Sequence, residues 1–259
     1  METHASIIFQ IVDRLRRRPL LAPEVRILVN GQPVRPLYKS GGYFIFTDMP
    51  AGEASFEIVS PVFQKEVISA AIPEAGNGYI LRHLLMNPSE AYPFESSVAT
   101  ISGRMLEKKN PLAGRQFHVI PGDGGEVMKI AEDKAEAGNC HIKLFITVPE
   151  RQLYFPGLYI IKDREEAKRE VCLITGRGDQ EGSFTLEKGM KYSHARGTSL
   201  VGVIECTTTA DGKFFTALQD LKAGKANLDF LIRTEGGRSI KRTVEIETNR
   251  RNNLTDIEI

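Results

Sequence analysis

The chain has 259 residues, with 34 Lys and Arg against 33 Asp and Glu, 41% hydrophobic residues, 23 glycines, 13 prolines and no tryptophan. A net charge of +1 supplies no overall field for nucleic acid or an anionic membrane, and no apolar run approaches the ~20 residues of a membrane-spanning helix. The length fits about two domains of roughly 150 residues, and the three cysteines, Cys140, Cys172 and Cys206, are too few and odd in number for a disulfide framework.

Residues 6–13 open the chain with a β-branched run that favours a strand, although Ile7, Ile8, Ile11, Val12 and Leu15 also fit a helical stripe. The apolar stretch is short and its arginines follow it, the reverse of a secretory signal. The expectation is a protein made and kept in a reducing cytoplasm, leaving the cell only within something larger or by lysis. Arg14, Arg16, Arg17 and Arg18 form a basic connection. Its plain reading is a solvated turn. The alternative is a contact for an acidic partner surface, because a planar guanidinium matches carboxylates.

Residues 25–29 alternate as a second strand, and Asn30-Gly31 is a strong hairpin signal. Residues 43–47 and 54–58 then form two runs separated by Met49-Pro50-Ala51-Gly52, and 64–72 closes the first unit. Residues 88–97 hold two prolines and little periodicity, which reads as a linker. Further strands are expected over 98–106, 116–120, 140–148, 158–161, 171–175, 183–186, 199–207 and 244–246. Residues 126–137 are ambiguous, since Met, Lys, Ala and Glu favour helix. A second hairpin runs from Asp211-Gly212 to Leu221 and returns from Leu228 to Ile232. The polar tail, 248–259, is expected to attach loosely and to order only against a partner.

Two openings in the chain run in parallel. One reads Ile11-Val12-Asp13, Arg18-Pro19-Leu20, Val25-Arg26-Ile27; the other reads Ile101-Ser102-Gly103, Asn110-Pro111-Leu112, Phe117-His118-Val119. Each leads to a Gly-x-Phe hairpin. This phrase resembles the carboxypeptidase regulatory-like, or transthyretin-like, modules. The resemblance implies an all-β protein of tandem transthyretin-like (immunoglobulin-like) β-sandwich domains, used mainly as non-catalytic binding or accessory modules. It covers residues 7–70 and both ends of the second half, which gives domains at 1–90 and 91–259, the second with a long middle that is either an inserted elaboration or a further unit. The linker residues Leu84, Leu85, Pro88, Tyr92, Pro93 and Phe94 are similar to those of accessory proteins encoded with phage tail-like contractile particles.

Sites of chemistry are sparse. The five histidines, His4, His83, His118, His141 and His194, lack zinc-ligand spacing, and no G-x-S-x-G nucleophile motif occurs. The related ring-cleaving dioxygenases and hydroxyisourate hydrolases carry signatures that this chain lacks. Arg177-Gly178-Asp179 reads as a surface turn, and the loop from Pro121 to Gly125 lacks the helix of a phosphate-binding motif. The expectations are therefore no catalytic residue, no metal and no cofactor. The leading function is a structural or interaction subunit that contacts other proteins through edge strands and the tail, without nucleic acid or membrane insertion. The alternative is a ligand- or carbohydrate-binding module using Tyr92, Phe94, Tyr154 and Phe155.

Overall fold

In the computed structural model, residues 4–259 are described except for 75, 122–126, 149–152, 154, 223 and 234–238. The described residues form β-strands with short 3₁₀ turns, and none of their helices is long and apolar enough to cross a membrane. They divide into two compact units, Met1–Phe94 and Glu95–Ile259.

The first unit runs β1 (Ala5–Asp13), β2 (Arg18–Pro19), β3 (Arg26–Val29), β4 (Gln32–Val34), β5 (Leu37–Lys39), β6 (Tyr43–Thr47), β7 (Gly52–Val59), β8 (Glu66–Ile72) and β9 (Ile80–Met86). One sheet has the order β2-β1-β6-β5, with β9 also on β1; the other has the order β4-β3-β7-β8. The opening run is a strand and not a helix. It lies inside its sheet, antiparallel to β6 and parallel to β9, with Ile7, Phe9 and Ile11 fully buried. Phe9, Phe46 and Phe56 meet edge to face between the sheets, the closest pair 4.9 Å apart, which makes the unit a β-sandwich. Asn30 and Gly31 both take positive φ, 49° and 78°, so β3 and β4 join by the two-residue turn that this dipeptide specifies.

The second unit opens with β10 (Ala99–Glu107), β11 (Asn110–Pro111) and β12 (Gln116–Pro121). It ends with β21 (Ile204–Thr207), β22 (Lys213–Leu218), β23 (Lys225–Arg233), β24 (Ser239–Glu247), β25 (Arg251–Asn253) and β26 (Ile257–Glu258). The pairings repeat those of the first unit. Strand β10 takes β22 antiparallel, β11 at its end and β25 and β26 parallel, while the second sheet has the order β21-β12-β23-β24. Phe117, Phe214 and Phe230 occupy the core as the other phenylalanine cluster does.

The duplication extends to single hydrogen bonds. Ile11 N–H donates to Gly42 and Leu20 N–H donates to Ile11; in the second unit Met105 N–H donates to Gly212 and Leu112 N–H donates to Met105. Both glycines have a φ of 76° and both are hemmed in by backbone. A Cβ would stand 2.5 Å from the Ile11 carbonyl at Gly42 and 2.7 Å from the Met105 carbonyl at Gly212. This is why the Gly-x-Phe phrase recurs. Gly42→Ala should cost the ~1–2 kcal/mol of a left-handed alanine and a backbone clash besides. Gly31→Ala, with φ 78° and open space around it, should cost the angle alone. Chemical denaturation of the two variants checks the order, and equal losses would refute the clash.

Between β12 and β21, where the first unit has Asn30-Gly31, the chain makes a closed barrel. Its strands are β13 (Met128–Ile130), β15 (His141–Ile146), β16 (Gly157–Lys162), β17 (Glu170–Arg177), β18 (Ser183–Leu186) and β20 (Ser199–Gly202), closed in the order β13-β15-β18-β17-β16-β20. A small ladder of β14 (Lys134–Ala135) with β19 (His194–Ala195) sits beside it. Met128, Ile142, Tyr159, Ile174 and Phe184 fill the barrel. The ambiguous stretch 126–137 is thus extended where described. Its helix formers are overridden because Met128, Ile130 and Ala135 are all needed inside. On the other face of β16, Ile160 packs with Ile120, Val201 and Val203, so a small second core fixes the barrel to the sandwich of its own unit.

Two expectations are corrected here. The division between the two units falls inside the expected linker, residues 88–97, but the part up to Phe94 is not free: it packs on the first unit, with Tyr92 buried against Phe63 and Phe94. The tail is not loosely attached either. Strands β25 and β26 lie on β10, Ile257 is in the core, and Leu254 and Ile259 pack against it. Its polar composition conceals the three apolar side chains that dock it.

Candidate functional site

In the first unit the basic connection closes on a buried carboxylate. Asp13 ends β1, and its Oδ1 accepts from the N–H groups of Leu15 and Arg16, both at 2.9 Å. Its Oδ2 accepts from the Tyr92 hydroxyl at 2.5 Å. Burial, then the bond to Asp13, push that hydroxyl well above the ordinary tyrosine range. The four arginines are placed around this centre. Arg14 is buried and its Nε donates to Asn87 at 2.7 Å; Arg16 lies over the Tyr92 ring at 5.4 Å. Arg17 takes a left-handed φ of 56° and its N–H donates to the Asp13 carbonyl. Arg18 forms a two-pronged pair with Glu24 at 2.5 and 2.9 Å. The connection and the Pro88–Phe94 stretch are therefore joined at Asp13, through the backbone of Leu15 and Arg16 on one side and the Tyr92 hydroxyl on the other.

An open recess lies in the same unit. It is a groove of about 880 Å³ lined by Ala22, Pro23, Val34, Leu37, Tyr38 and Phe44, with Arg26 and Arg35 also along it. Strands β4 and β5 belong to different sheets and are the outermost strands on this side of the sandwich, joined through Arg35-Pro36. Their outer flanks pair with no described strand. Val34 is 42% and Leu37 59% exposed, an apolar surface that a free chain leaves in water.

The second unit holds a smaller cleft of about 460 Å³ between barrel and sandwich, floored by Leu158, Ile160, Val171 and Leu231. His118 and Glu205 line it 3.4 Å apart, and the buried His118 Nε2 has no hydrogen-bond partner among the described residues. One wall is fixed by an ionised cluster. His194 is fully buried, its Nδ1 2.8 Å from Asp163 and its Nε2 2.9 Å from Glu170. Glu170 also accepts from the N–H groups of Lys191 and Tyr192.

Burial alone would depress the His194 pKa, but the two carboxylates outweigh it and raise it. The bond to His194 lowers Asp163; burial opposes the same shift in Glu170, where His194 and the two backbone donors prevail. The three shifts all favour the charged forms, and with Glu165 N–H on Asp163 and Lys191 and Tyr192 N–H on Glu170 the cluster ties the turn after β16 to β17 and β19. Sequence reading passes over it, because Asp163 and Glu170 lie 31 and 24 residues from His194. Among the described residues no three His, Cys, Asp or Glu side chains are grouped to hold a metal ion.

The loop aromatics divide. Tyr92 is buried, Phe155 packs on the barrel core 5.4 Å from Phe184, and Tyr154 lies outside the described residues. The Pro121–Gly125 loop also lies outside them beyond Pro121.

No family model matches the chain, and no curated protein does. Among solved structures, the chain is similar to the Bacillus anthracis TIE protein at 10% identity and a TM-score of 0.28, over 100% of this chain and 50% of that one. It is also similar to BcpA, the major pilin subunit of Bacillus cereus, at 8% identity and a TM-score of 0.25, over 95% of this chain and 69% of the pilin. A third is a putative carbohydrate-binding protein from Bacteroides uniformis, at 10% identity and a TM-score of 0.23, over 93% and 98%. The chain thus spans half the length of the TIE protein. Superposition at this level is loose, and the two sandwiches and the barrel are defined by the chain's own pairings.

Proposed function

We propose that this protein is a non-catalytic structural subunit or adaptor that joins a larger assembly by holding an extended segment of another subunit in the first-unit groove. The observation that carries this reading is the groove itself, where exposed Val34 and Leu37 belong to two edge strands whose outer flanks pair with no described strand. An extended chain supplies both things such a site lacks, main-chain partners for the edges and alternating apolar side chains for the groove. Arg26 and Arg35 favour acidic residues in that segment. The ionisable clusters at Asp13 and His194 are spent on holding the fold, which supports a role without catalysis. The transthyretin-like module type, resting on the repeated strand phrase and the two hemmed glycines, belongs to the same proposal.

The finer reading is an adaptor in a phage tail-like contractile particle, supported by the resemblance of the Leu84–Phe94 stretch. The test is sedimentation of high-mass particles from producing cells. The chain should travel with them, and Val34→Lys with Leu37→Lys should leave it in the supernatant with unchanged melting. A double variant that still sediments would sink the groove, and electron micrographs lacking sheath and tube would sink the finer reading.

A second reading, a small-ligand binding module, is favoured by His118 Nε2 in the second-unit cleft, which has Glu205 at 3.4 Å but no hydrogen-bond partner among the described residues. A panel of small sugars and carboxylates titrated against the His118 ring signals by NMR checks it. Signals that do not move would dismiss this reading.

A further inference from the structure

We infer that β8 is a pairing edge for a second copy of this chain, joined antiparallel about a two-fold axis so that the β4-β3-β7-β8 sheet continues into its counterpart. An edge strand in a monomer needs charge, proline, shortness or a bulge to stop it adding another strand. Such protection is present at β4, β5, β9 and β24 and absent at β8. Strand β4 is three residues long and contains Pro33, and β5 is three residues long. Strand β9 carries Arg82 and His83. Strand β24, which stands in the second unit where β8 stands in the first, has Lys241, Arg242, Glu245 and Glu247 along it.

Strand β8 reads Glu-Val-Ile-Ser-Ala-Ala-Ile, without a charge after its first residue and without proline. It pairs with β7 through seven successive residues, with no register shift to twist it away, and with no other described strand. Its solvent face shows Val67, 59% exposed, with Ser69 and Ala71 also exposed. The same position in a duplicated fold is thus guarded in one unit and bare in the other.

The strand's own sequence chooses the occupant and the register. Small residues at its centre, Ser69, Ala70 and Ala71, let two copies approach without clash. In an antiparallel continuation, facing residues must lie on the same side of the sheet, so a residue lies on the axis. Any choice other than Ser69, such as Ala70, leaves part of β8 unpaired, whereas Ser69 there pairs the whole strand, Glu66 to Ile72. With Ala70 there, Glu66 would face Glu74 of the second copy, like against like. With Ser69 there, Glu66 faces Ile72 and each Val67 covers the other copy's Ala71. Opposed like charges disfavour the first arrangement, which leaves Ser69 on the axis. The contact is isologous and self-limiting, giving a closed dimer and not a fibre.

This inference stands apart from the groove reading, since β8 lies on the opposite side of its sheet from β4. The experiment uses the full chain with the exposed Cys140 replaced by Ser, because Cys172 and Cys206 are buried. Ser69→Cys in that background should yield a disulfide-linked dimer under mild oxidation, and Thr243→Cys on β24 should not. Sedimentation equilibrium of the unmodified chain should show dimer, and Ser69→Lys, at an exposed position that preserves the monomer fold by circular dichroism, should weaken the dimer at least tenfold. A chain that is monomeric at its highest soluble concentration would overturn the pairing. So would a dimer that Ser69→Lys leaves intact, or a β8 edge occupied only by a foreign protein.

Discussion

Removing residues 248–259 should lower the melting temperature of the second unit steeply while leaving the first unit unchanged. The truncation strips β25 and β26 from β10, which loses its pairing on that flank. It also removes Ile257 from the core and the packing of Leu254 and Ile259. Covering one such side chain contributes about 1.5–3 kcal/mol, and a loss of ~3 kcal/mol in a unit of this size corresponds to roughly 6–12 °C. The Arg104–Asp256 pair goes too, but at 2.6 Å on an exposed surface it adds little. Calorimetry of the full and shortened chains decides the matter. If both melt together, the tail is an accessory after all.

His194→Leu should destabilise the second unit by about 3–5 kcal/mol, the cost of leaving a buried charge without its partner. Here two carboxylates, Asp163 and Glu170, would face the gap. The pH dependence follows from the directions of the shifts. His194 is raised, so its contribution is complete below the ordinary histidine value of about 6.5 and is lost as pH rises through its folded value. Asp163 and Glu170 are lowered, so theirs is complete above about 4.3 and is lost as pH falls through their folded values. Stability should therefore be greatest between about pH 5 and 6 and decline on both sides. Hydrogen exchange in β16 and β17, followed against pH, reads this directly. The alkaline decline should vanish in His194→Leu, and its persistence there would assign it to another group.

The strands were legible in the sequence where alternation and turn chemistry agree. Tyr43 to Thr47, Asn30-Gly31 and the Gly212 hairpin are each set by local rules, and the doubling of the fold shows in its repeated phrases. What escaped depends on distance along the chain. The tail reads as polar because its value lies in reaching β10, with Ser102 facing Asn253, 151 residues on. His194 reads as one scattered histidine because its partners come from β17 and from the turn after β16. The groove was equally hidden, since residues 32–39 carry no strand pattern long enough to read and only the sandwich shows that β4 and β5 border one recess.

The barrel occupies the place of a two-residue turn, and this bears on how the second unit reaches its native state. In the first unit β3 meets β4 immediately, Val29 opposite Gln32. In the second, Val119 meets Ile204 only after the whole barrel has been traversed. An unstructured excursion of that length would charge the pairing with the entropy of closing a long loop. A barrel that folds first holds its own ends together, since β13 and β20 are neighbours, Met128 opposite Leu200. It then delivers β12 and β21 side by side. Loop-closure entropy thus favours an order of assembly in which the barrel forms before the sandwich closes around it. The second unit should fold more slowly than the first, as its longer-range pairings demand.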